Sequence, residues 1–346
     1  MDFLLINFIK LTWFFGFMDH NGFYRNKNIL VTGGYGFIGS NLVCKLVRLG
    51  ANVTVVDSFL ENTSANKKNL EEVEGKFEYI AGDLCDSKVA DTAVQNKDLI
   101  FHLAGNTVHG ISMSNPKLDL DVNVLCTINI LNACKINNKN TKIIFTSTRQ
   151  VYGKPNYLPV DEKHGLNPPD VNAINKIAAE NYLLLYDNVY GIKSLIFRLT
   201  NTYGPKQSMK LHLKQLVPTF VRLAMEEKDI TVYGNGAELR DLNFVDDVID
   251  ALLIGGASEL HGEIFNLGDT NYKSLLDMAK DVIDVSGKGS YKLVPFPDER
   301  KKINVGDTYL DISKIKNVLG WQPKTGFKDG VKRTLEYFKG KEEHYF

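Results

Sequence analysis

The feature that most constrains the fold is a cluster of glycines placed directly between a predicted strand and a predicted helix. The run Asn28–Thr32 is short, aliphatic and β-branched, and the sequence GGYGFIGS follows it at once. Apolar residues then recur with helical spacing from Asn41 to Leu49, and Gly50 ends that segment. Glycines let the backbone turn tightly here and let the strand and the helix pack closely. The segment therefore predicts a strand–turn–helix unit.

The glycine spacing and a later acidic residue predict a dinucleotide site. The turn matches GxGxxG through Gly34, Gly36 and Gly39, and GxxGxxG when Gly33 is counted instead. Such a turn approaches a pyrophosphate and directs a helix N-terminus at its charge. Asp57, 18 residues past Gly39 at the end of the second predicted strand, suits the ribose hydroxyls and would repel a 2′-phosphate. We expect NAD rather than NADP, bound by Gly33, Gly36, Phe37, Ile38, Gly39 and Asp57.

Apolar strands alternate with helical segments along the first two thirds of the chain. We expect a doubly wound parallel Rossmann sheet of the α/β class, with a smaller, partly interleaved C-terminal lobe. Further strands are predicted at 53–57, 77–81, 99–103, 142–146, 194–199 and 263–268, and helices at 118–136 and 172–189. The predicted division is an apolar extension (1–26), a cofactor-binding domain (27–204 plus about 243–268) and a substrate lobe (205–242 plus 269–340).

Charge and cysteine content exclude several classes of function. The 41 basic and 41 acidic residues cancel, so no net field favours nucleic acid or an anionic membrane. The four cysteines contain no CxxC pair, and the seven histidines are scattered without ligand spacing. We predict no metal site, and buried, reduced thiols in a cytoplasmic protein.

The N-terminal segment Phe3–Phe17 is strongly apolar but shorter than the roughly 20 residues that span a bilayer. It also lacks the basic start and small-residue cleavage site of a signal peptide. Two explanations of this segment remain: an interfacial membrane anchor, or a translation start assigned upstream of the true start at Met18. We favour the second. No stable membrane insertion is expected.

Several motifs, in order, resemble the extended short-chain dehydrogenase/reductase family, in particular its NAD-dependent nucleotide-sugar epimerases and dehydratases. The similar segments run from Asn28 to about Phe338 and include AGDLCD, FHLAG, DVNVLCTINIL, FTSTRQVYG, FRLTNTYGP and LRDLNFVDDVIDAL. The resemblance implies that Asp83, Leu84, Leu103 and Ala104 contact NAD. It implies that Asn201, Arg240 and Arg300 bind a nucleotide-diphosphate sugar, the arginines at its diphosphate. It also implies a homodimer formed through two helices of each subunit.

The sequence departs from this family at the usual proton acceptor. Family members place a Tyr four residues before a Lys on one helix face, beside a Ser or Thr. Here Lys176 and Thr148 match, but Asn172 occupies the Tyr position. We expect Thr148, Asn172 and Lys176 at the catalytic centre, with Thr148 also binding substrate and Lys176 also binding the nicotinamide ribose. An amide cannot act as a base at neutral pH, so another group must accept the proton.

A second departure follows Thr148, where family 4,6-dehydratases carry Asp and Glu. This chain has Arg149 and Gln150, which disfavours dehydration. We expect an NAD-dependent nucleotide-sugar epimerase or dehydrogenase that oxidises a ring hydroxyl at C4. A weakly active protein that only binds NAD and a nucleotide sugar is the first alternative, and a nucleotide-sugar dehydratase is the second.

Overall fold

The computed structural model describes residues 20–61, 63–106, 109–213, 215–296 and 305–346. Its central feature is a seven-stranded sheet in which every pairing is parallel, with strand order β11-β6-β5-β4-β1-β2-β3. The strands of the whole described chain are β1 Asn28–Thr32, β2 Asn52–Asp57, β3 Glu78–Ala81, β4 Leu99–His102, β5 Lys142–Thr148, β6 Ser194–Leu199, β7 Asn201–Tyr203, β8 Asp229–Tyr233, β9 Leu239–Arg240, β10 Leu242–Phe244, β11 Glu263–Leu267, β12 Lys273–Ser274 and β13 Ser290–Val294.

Helices connect these strands. They are α1 His20–Phe23, α2 Phe37–Arg48, α3 Ser87–Ala93, α4 His109–Ser114, α5 Pro116–Leu120, α6 Cys126–Asn137, α7 Val171–Tyr190, α8 Leu216–Met225, α9 Val245–Ala257, α10 Leu275–Ser286, α11 Ser313–Leu319, α12 Phe327–Phe338 and α13 Glu342–Tyr345. Short 3₁₀ turns occupy Lys67–Val73, Arg149–Tyr152 and Leu211–Leu213.

Both faces of the large sheet are covered, as the apolar strands predict. Alternate side chains of β1 enter separate cores: Ile29 and Val31 pack with α2 and α9, whereas Leu30 packs with α3, α6 and α7. A strand buried on both faces has no polar side to alternate with, which is why these strands read as continuous apolar runs. The doubly wound parallel α/β fold is confirmed.

The strand order reverses next to β1. The chain runs outward through β2 and β3 on one side, and through β4, β5, β6 and β11 on the other. In open α/β sheets a crevice forms at the carboxyl ends of the strands at such a reversal. The sheet therefore positions the end of β1, the end of β4 and the turn after β1 around one opening.

The C-terminal part adds three two-stranded sheets: parallel β7–β10, antiparallel β9–β12 and parallel β8–β13. The larger apolar core continues from the sheet side chain Phe197 to Phe220, Met278 and Val331 of the surrounding helices. The domain division remains a prediction. Strand β11 comes after residues 205–242, the first segment assigned to the lobe, and yet it lies at the edge of the large sheet.

Some boundaries differ from the sequence expectation. Helix α2 begins at Phe37, four residues before Asn41, because the last glycine of the turn is already helical. The helix expected at 118–136 is interrupted by a π-helical turn over Asp121–Leu125. One extra residue per turn there rotates the following helix relative to the preceding one.

The N-terminal region is described only from His20 onward. Tyr24, which the sequence assigned to the extension, is fully buried, and its hydroxyl donates to the Leu253 carbonyl at 2.5 Å. The segment expected at 3–17 lies outside the described residues. Within the described chain, no helix combines the length and apolarity needed to cross a membrane.

Candidate functional site

The glycine turn after β1 forms the floor of the opening. Gly33 has φ +68°, a conformation that favours glycine. A Cβ on Gly39 would lie 2.1 Å from the Gly33 carbonyl oxygen, so no larger residue fits there. The turn thus brings bare backbone and the start of α2 to the crevice, which is the cradle that a dinucleotide pyrophosphate requires.

Asp57 lies at the end of β2 beside this turn. Its Oδ2 accepts from the Tyr35 backbone N at 3.0 Å and its Oδ1 from Phe59 N at 2.9 Å. Burial raises the pKa of this carboxyl, and the two backbone donors oppose the shift. The carboxylate is therefore fixed in orientation at the crevice edge, as a ribose acceptor must be.

A buried histidine positions the end of β4. The Thr32 hydroxyl lies 2.8 Å from His102 Nδ1, and His102 Nε2 lies 3.0 Å from the Thr127 hydroxyl. The backbone N–H groups of Leu103 and Ala104 both donate to the Thr32 oxygen, at 3.1 and 3.0 Å. Burial lowers the pKa of His102 to about 3, so the ring is neutral and acts only as a hydrogen-bonding group.

Thr148 ends β5 and begins the 3₁₀ turn. Its Oγ1 accepts from Gln150 N at 3.2 Å, which leaves the hydroxyl proton available for donation to a ligand. The turn is anchored by Tyr152, whose hydroxyl donates to Asn266 Oδ1 at 2.7 Å and accepts from Arg198 at 2.9 Å. Residues 148 and 149 are thereby held at the carboxyl end of the sheet.

Asn172 belongs to a buried amide–carboxylate cluster. Its Nδ2 donates to the Asn106 carbonyl at 2.6 Å and to Asp119 Oδ2 at 3.2 Å. Asp119 is fully buried and also accepts from Asn106 Nδ2 at 3.0 Å and from Asn175 Nδ2 at 2.8 Å. Because Nδ2 is directed at Asp119, the amide oxygen of Asn172 is the atom that a ligand hydroxyl or water would meet.

Lys176 lies one helical turn after Asn172. Its ammonium donates to the Thr146 carbonyl at 3.1 Å and sits 4.6 Å from the centre of the Phe145 ring. Burial lowers the pKa of Lys176 to about 8, and the charges of Asp119 and Glu180 oppose that shift. The amine therefore exchanges protons near neutrality.

The residues expected to bind the nucleotide sugar lie at the same opening. Asn201 begins β7 and is half-buried. Arg240 is buried and already bound: Nη1 donates to the carbonyls of Leu239 (2.8 Å) and Gly306 (2.6 Å), and Nη2 lies 3.0 Å from Glu238. Arg300 lies outside the described residues. A role for Arg240 at a diphosphate stays a prediction and would require it to share or exchange these partners.

One cavity of about 560 Å³ collects these groups, within the 300–1,000 Å³ typical of ligand sites. It is lined by every predicted residue that the structure describes: Gly33, Gly36, Phe37, Ile38, Gly39, Asp57, Asp83, Leu84, Leu103, Ala104, Thr148, Asn172, Lys176, Asn201 and Arg240. The predicted cofactor, catalytic and substrate residues are thus adjacent. Their individual roles remain predictions.

Sequence reasoning did not find three features of this site. Asp119 and His102 are buried polar groups whose partners are far apart in sequence, and no spacing rule points to them. Cys85 and Cys126, 41 residues apart, place their sulfurs 3.0 Å from each other beside Asp83. Cys85 is half-buried rather than buried, in contrast to the expectation of four buried thiols, because its turn lies at the cavity edge.

The chain matches the family described as GDP-mannose 4,6 dehydratase over residues 30–334. A Methanocaldococcus jannaschii protein, provisionally named UDP-glucose 4-epimerase, is 35% identical over 316 residues, covering 90% of this chain and 98% of that protein.

Solved structures agree with this match. The UDP-glucose 4-epimerase of Thermotoga maritima, solved with UDP-glucose, has a TM-score of 0.81 and 30% identity, covering 91% of this chain and 99% of its own. The dTDP-glucose 4,6-dehydratase of Streptomyces venezuelae, solved with NAD, has a TM-score of 0.81 and 27% identity, covering 91% and 98%. This chain therefore belongs to the GDP-mannose 4,6-dehydratase family, within the extended short-chain dehydrogenase/reductases that include nucleotide-sugar epimerases and dehydratases.

Proposed function

We propose that the protein is an NAD-dependent nucleotide-sugar epimerase or dehydrogenase that oxidises a ring hydroxyl of the sugar at C4. The observation that carries this proposal is the shared cavity. A glycine cradle, a ribose-binding carboxylate and the group of Thr148, Asn172 and Lys176 all line it. A dinucleotide and a sugar can therefore bind side by side in it.

The cradle fits NAD on its own geometry. A Cβ on Gly33 or Gly39 would clash with the backbone of Ala104 or Gly33, so glycine is needed for the tight turn that opens α2, and Asp57 presents a carboxylate fixed by the Tyr35 N–H. When bound, NAD supplies the acceptor for a hydride from the sugar carbon. The protein must then position the sugar hydroxyl and remove its proton.

Thr148 and Asn172 orient that hydroxyl. The Thr148 hydroxyl can donate to the sugar oxygen while its own oxygen accepts from Gln150 N. The Asn172 amide oxygen can accept from the sugar hydroxyl or from a water beside it, since Asp119 fixes the amide orientation. Both residues thus bind the hydroxyl, and neither can hold its proton at neutral pH.

Lys176 is the group that accepts the proton in this proposal. It is buried in the same cavity, one helical turn from Asn172, and burial lowers the pKa of its amine to about 8. A catalytic base is most effective when its pKa lies near the working pH. In the absence of the family Tyr, the neutral fraction of this amine takes the role that the phenolate has in relatives with that residue.

Dehydration is not proposed. It requires an acid and a base beside C5 and C6 to expel water, and the two positions after Thr148 carry a guanidinium and an amide. Neither group releases and takes up protons at neutral pH. The keto-sugar is thus expected to be reduced again or released.

The test is to incubate purified protein and NAD with a panel of UDP-, dTDP-, GDP- and CDP-sugars. The absorbance of reduced nicotinamide and the nuclear magnetic resonance spectra of the sugars are followed. The proposal expects a new epimer, or a keto-sugar with stoichiometric NADH, for at least one member. Binding of NAD and a nucleotide sugar without either product would show a binding protein instead.

We also propose that the protein is a cytoplasmic homodimer. Ile174, Tyr182, Leu185 and Val189 of α7 are 37–56% exposed. At 100° per residue they fall within an arc of about 80° on the helix surface. An apolar stripe of this kind on a soluble enzyme favours burial against an identical helix of a second subunit.

A further inference from the structure

Arg149 is a half-buried cation that lines the cavity, and one of its donor nitrogens is shielded from solvent. It directly follows Thr148, opens the 3₁₀ turn and lines the same cavity as Thr148 and Asn172. Its Nη1 is buried and has no hydrogen-bond partner among the residues that the structure describes. A buried charged donor left unpaired is costly, so the guanidinium gains by turning toward an acceptor in the cavity that Arg149 lines.

Among the described residues, the neighbouring charges do not supply that acceptor. Asp241 is fully buried and balances Arg149 through space, but its oxygens already accept from the Thr200 hydroxyl at 2.5 Å and Leu310 N at 3.2 Å. Arg240 adds a second positive charge and is itself bound to Glu238. Burial and Arg240 lower the pKa of Arg149 to about 10, so the guanidinium stays charged at neutral pH.

The missing partner is an oxyanion. A guanidinium presents parallel N–H donors that match the two oxygens of a carboxylate. Because Arg149 is adjacent to Thr148, an anion bound there would be carried by the sugar ring that Thr148 binds. The pyrophosphate of the nucleotide is the other oxyanion in such a substrate, and the experiment must separate the two.

We propose that Arg149 binds a carboxylate on the sugar, so that the preferred substrates are nucleotide-linked uronic acids or other acidic sugars. This inference rests on the proposed function and narrows its substrate class. The oxygen of a neutral hydroxymethyl group could occupy the same space, but it offers one uncharged acceptor where the guanidinium presents parallel charged donors. The acidic sugar should therefore bind more tightly than its neutral counterpart.

Isothermal titration calorimetry with matched ligands tests the proposal. The pairs are UDP-glucose with UDP-glucuronic acid and GDP-mannose with GDP-mannuronic acid, with UDP and GDP alone as the third arm. A charge-assisted contact is worth about 1.5–3 kcal/mol, which is about ten- to a hundredfold in Kd. We expect the parent to prefer the acidic sugar by that factor.

Variants then assign the preference to the residue. Arg149→Gln should abolish it while leaving the affinity for UDP or GDP unchanged. Arg149→Lys keeps the positive charge but loses the parallel N–H donors of the guanidinium. It should retain part of the preference for the acidic sugar. Arg48→Gln is the matched control, since Arg48 is an exposed arginine paired with Glu72 away from the cavity. Thermal unfolding of each variant confirms that it is folded.

The outcomes are distinct. Equal affinity of the parent for acidic and neutral sugars overturns the inference and leaves the proposed function standing. An equal loss of UDP and UDP-glucuronic acid affinity in Arg149→Gln also overturns it, because the guanidinium would then bind the diphosphate. If the parent binds no nucleotide sugar in either pair or in the wider panel, the proposed function itself fails.

Discussion

The side-chain amide of Asn172 donates to the fully buried carboxylate of Asp119, Nδ2 to Oδ2, at 3.2 Å. Asp119 thereby fixes which end of the amide faces the cavity, although it lies 53 residues earlier in the chain. Three amide donors are directed at this carboxylate, and among the described residues no cation is in hydrogen-bond contact with it. We interpret Asp119 as a positioning residue for Asn172.

Asp119→Asn should therefore impair turnover more than binding. The new amide replaces one acceptor with a donor, so Asn172 must reorient or lose its partner. Small misplacements of reacting groups cost up to about a hundredfold in rate, and we expect kcat to fall by about ten- to a hundredfold. Losing the buried contact should lower the free energy of unfolding by about 1–3 kcal/mol.

Steady-state kinetics measures the expected fall in kcat, and calorimetry measures whether NAD affinity is kept. Together with the stability measurement they separate a role in positioning Asn172 from a purely structural role. Asp121→Asn is the control, because Asp121 lies two residues away but pairs with the exposed Lys117. An Asp119→Asn variant that is destabilised yet keeps the parental kcat would make the carboxylate purely structural.

The sequence indicated most of the fold and the outline of the site, but little of what holds the site in place. The central strands of the sheet were predictable because burial on both faces removes polar residues from them, whereas the edge strand β3 is mostly exposed. Asn172 and Lys176 were predicted from the resemblance to the family motif, whose Tyr and Lys lie one helical turn apart. Asp119 and the unpartnered donor of Arg149 were not, because their environments are set by segments distant in sequence.

Asp57 should control the choice of cofactor. In Asp57→Ala the ribose loses its acceptor and the backbone N–H groups of Tyr35 and Phe59 lose theirs. We expect NAD affinity to fall by about ten- to a hundredfold and NADP affinity to fall less, because the repulsion of a 2′-phosphate is also removed. Fluorescence titration with both cofactors measures this ratio. An identical loss for NAD and NADP would contradict the assignment of Asp57 to the ribose.

The apolar stripe on α7 should determine the oligomeric state. Leu185 is 50% exposed at its centre, and a charge there would be buried without a partner in a helix-to-helix interface. Leu185→Asp is expected to convert a dimer to a monomer in analytical ultracentrifugation. Val318→Asp is the control, since Val318 is 49% exposed on a different helix, α11. A monomeric parent, or a dimer that survives Leu185→Asp, would place any interface elsewhere.

Lys176 gives the proposed reaction its dependence on pH. Its pKa is lowered to about 8, so the amine is protonated below that pH and neutral above it. Only the neutral amine accepts a proton, so kcat/KM should rise by about tenfold per pH unit at low pH and level off above about 8. Lys176→Arg keeps a positive charge at this position but cannot deprotonate, and it should lose both the rate and this rise.

Asn172→Tyr provides the complementary measurement. A phenol at this position lies one helical turn from Lys176, whose ammonium favours the phenolate and lowers the pKa of the new tyrosine. The rising limb of the profile should then move to lower pH, with Lys176 acting through its charge rather than as the base. Lys176→Arg should be tolerated far better in this background than in the parent. If Lys176→Arg instead leaves the parental pH profile unchanged, the proton leaves by another group, and the lysine serves only to bind the cofactor.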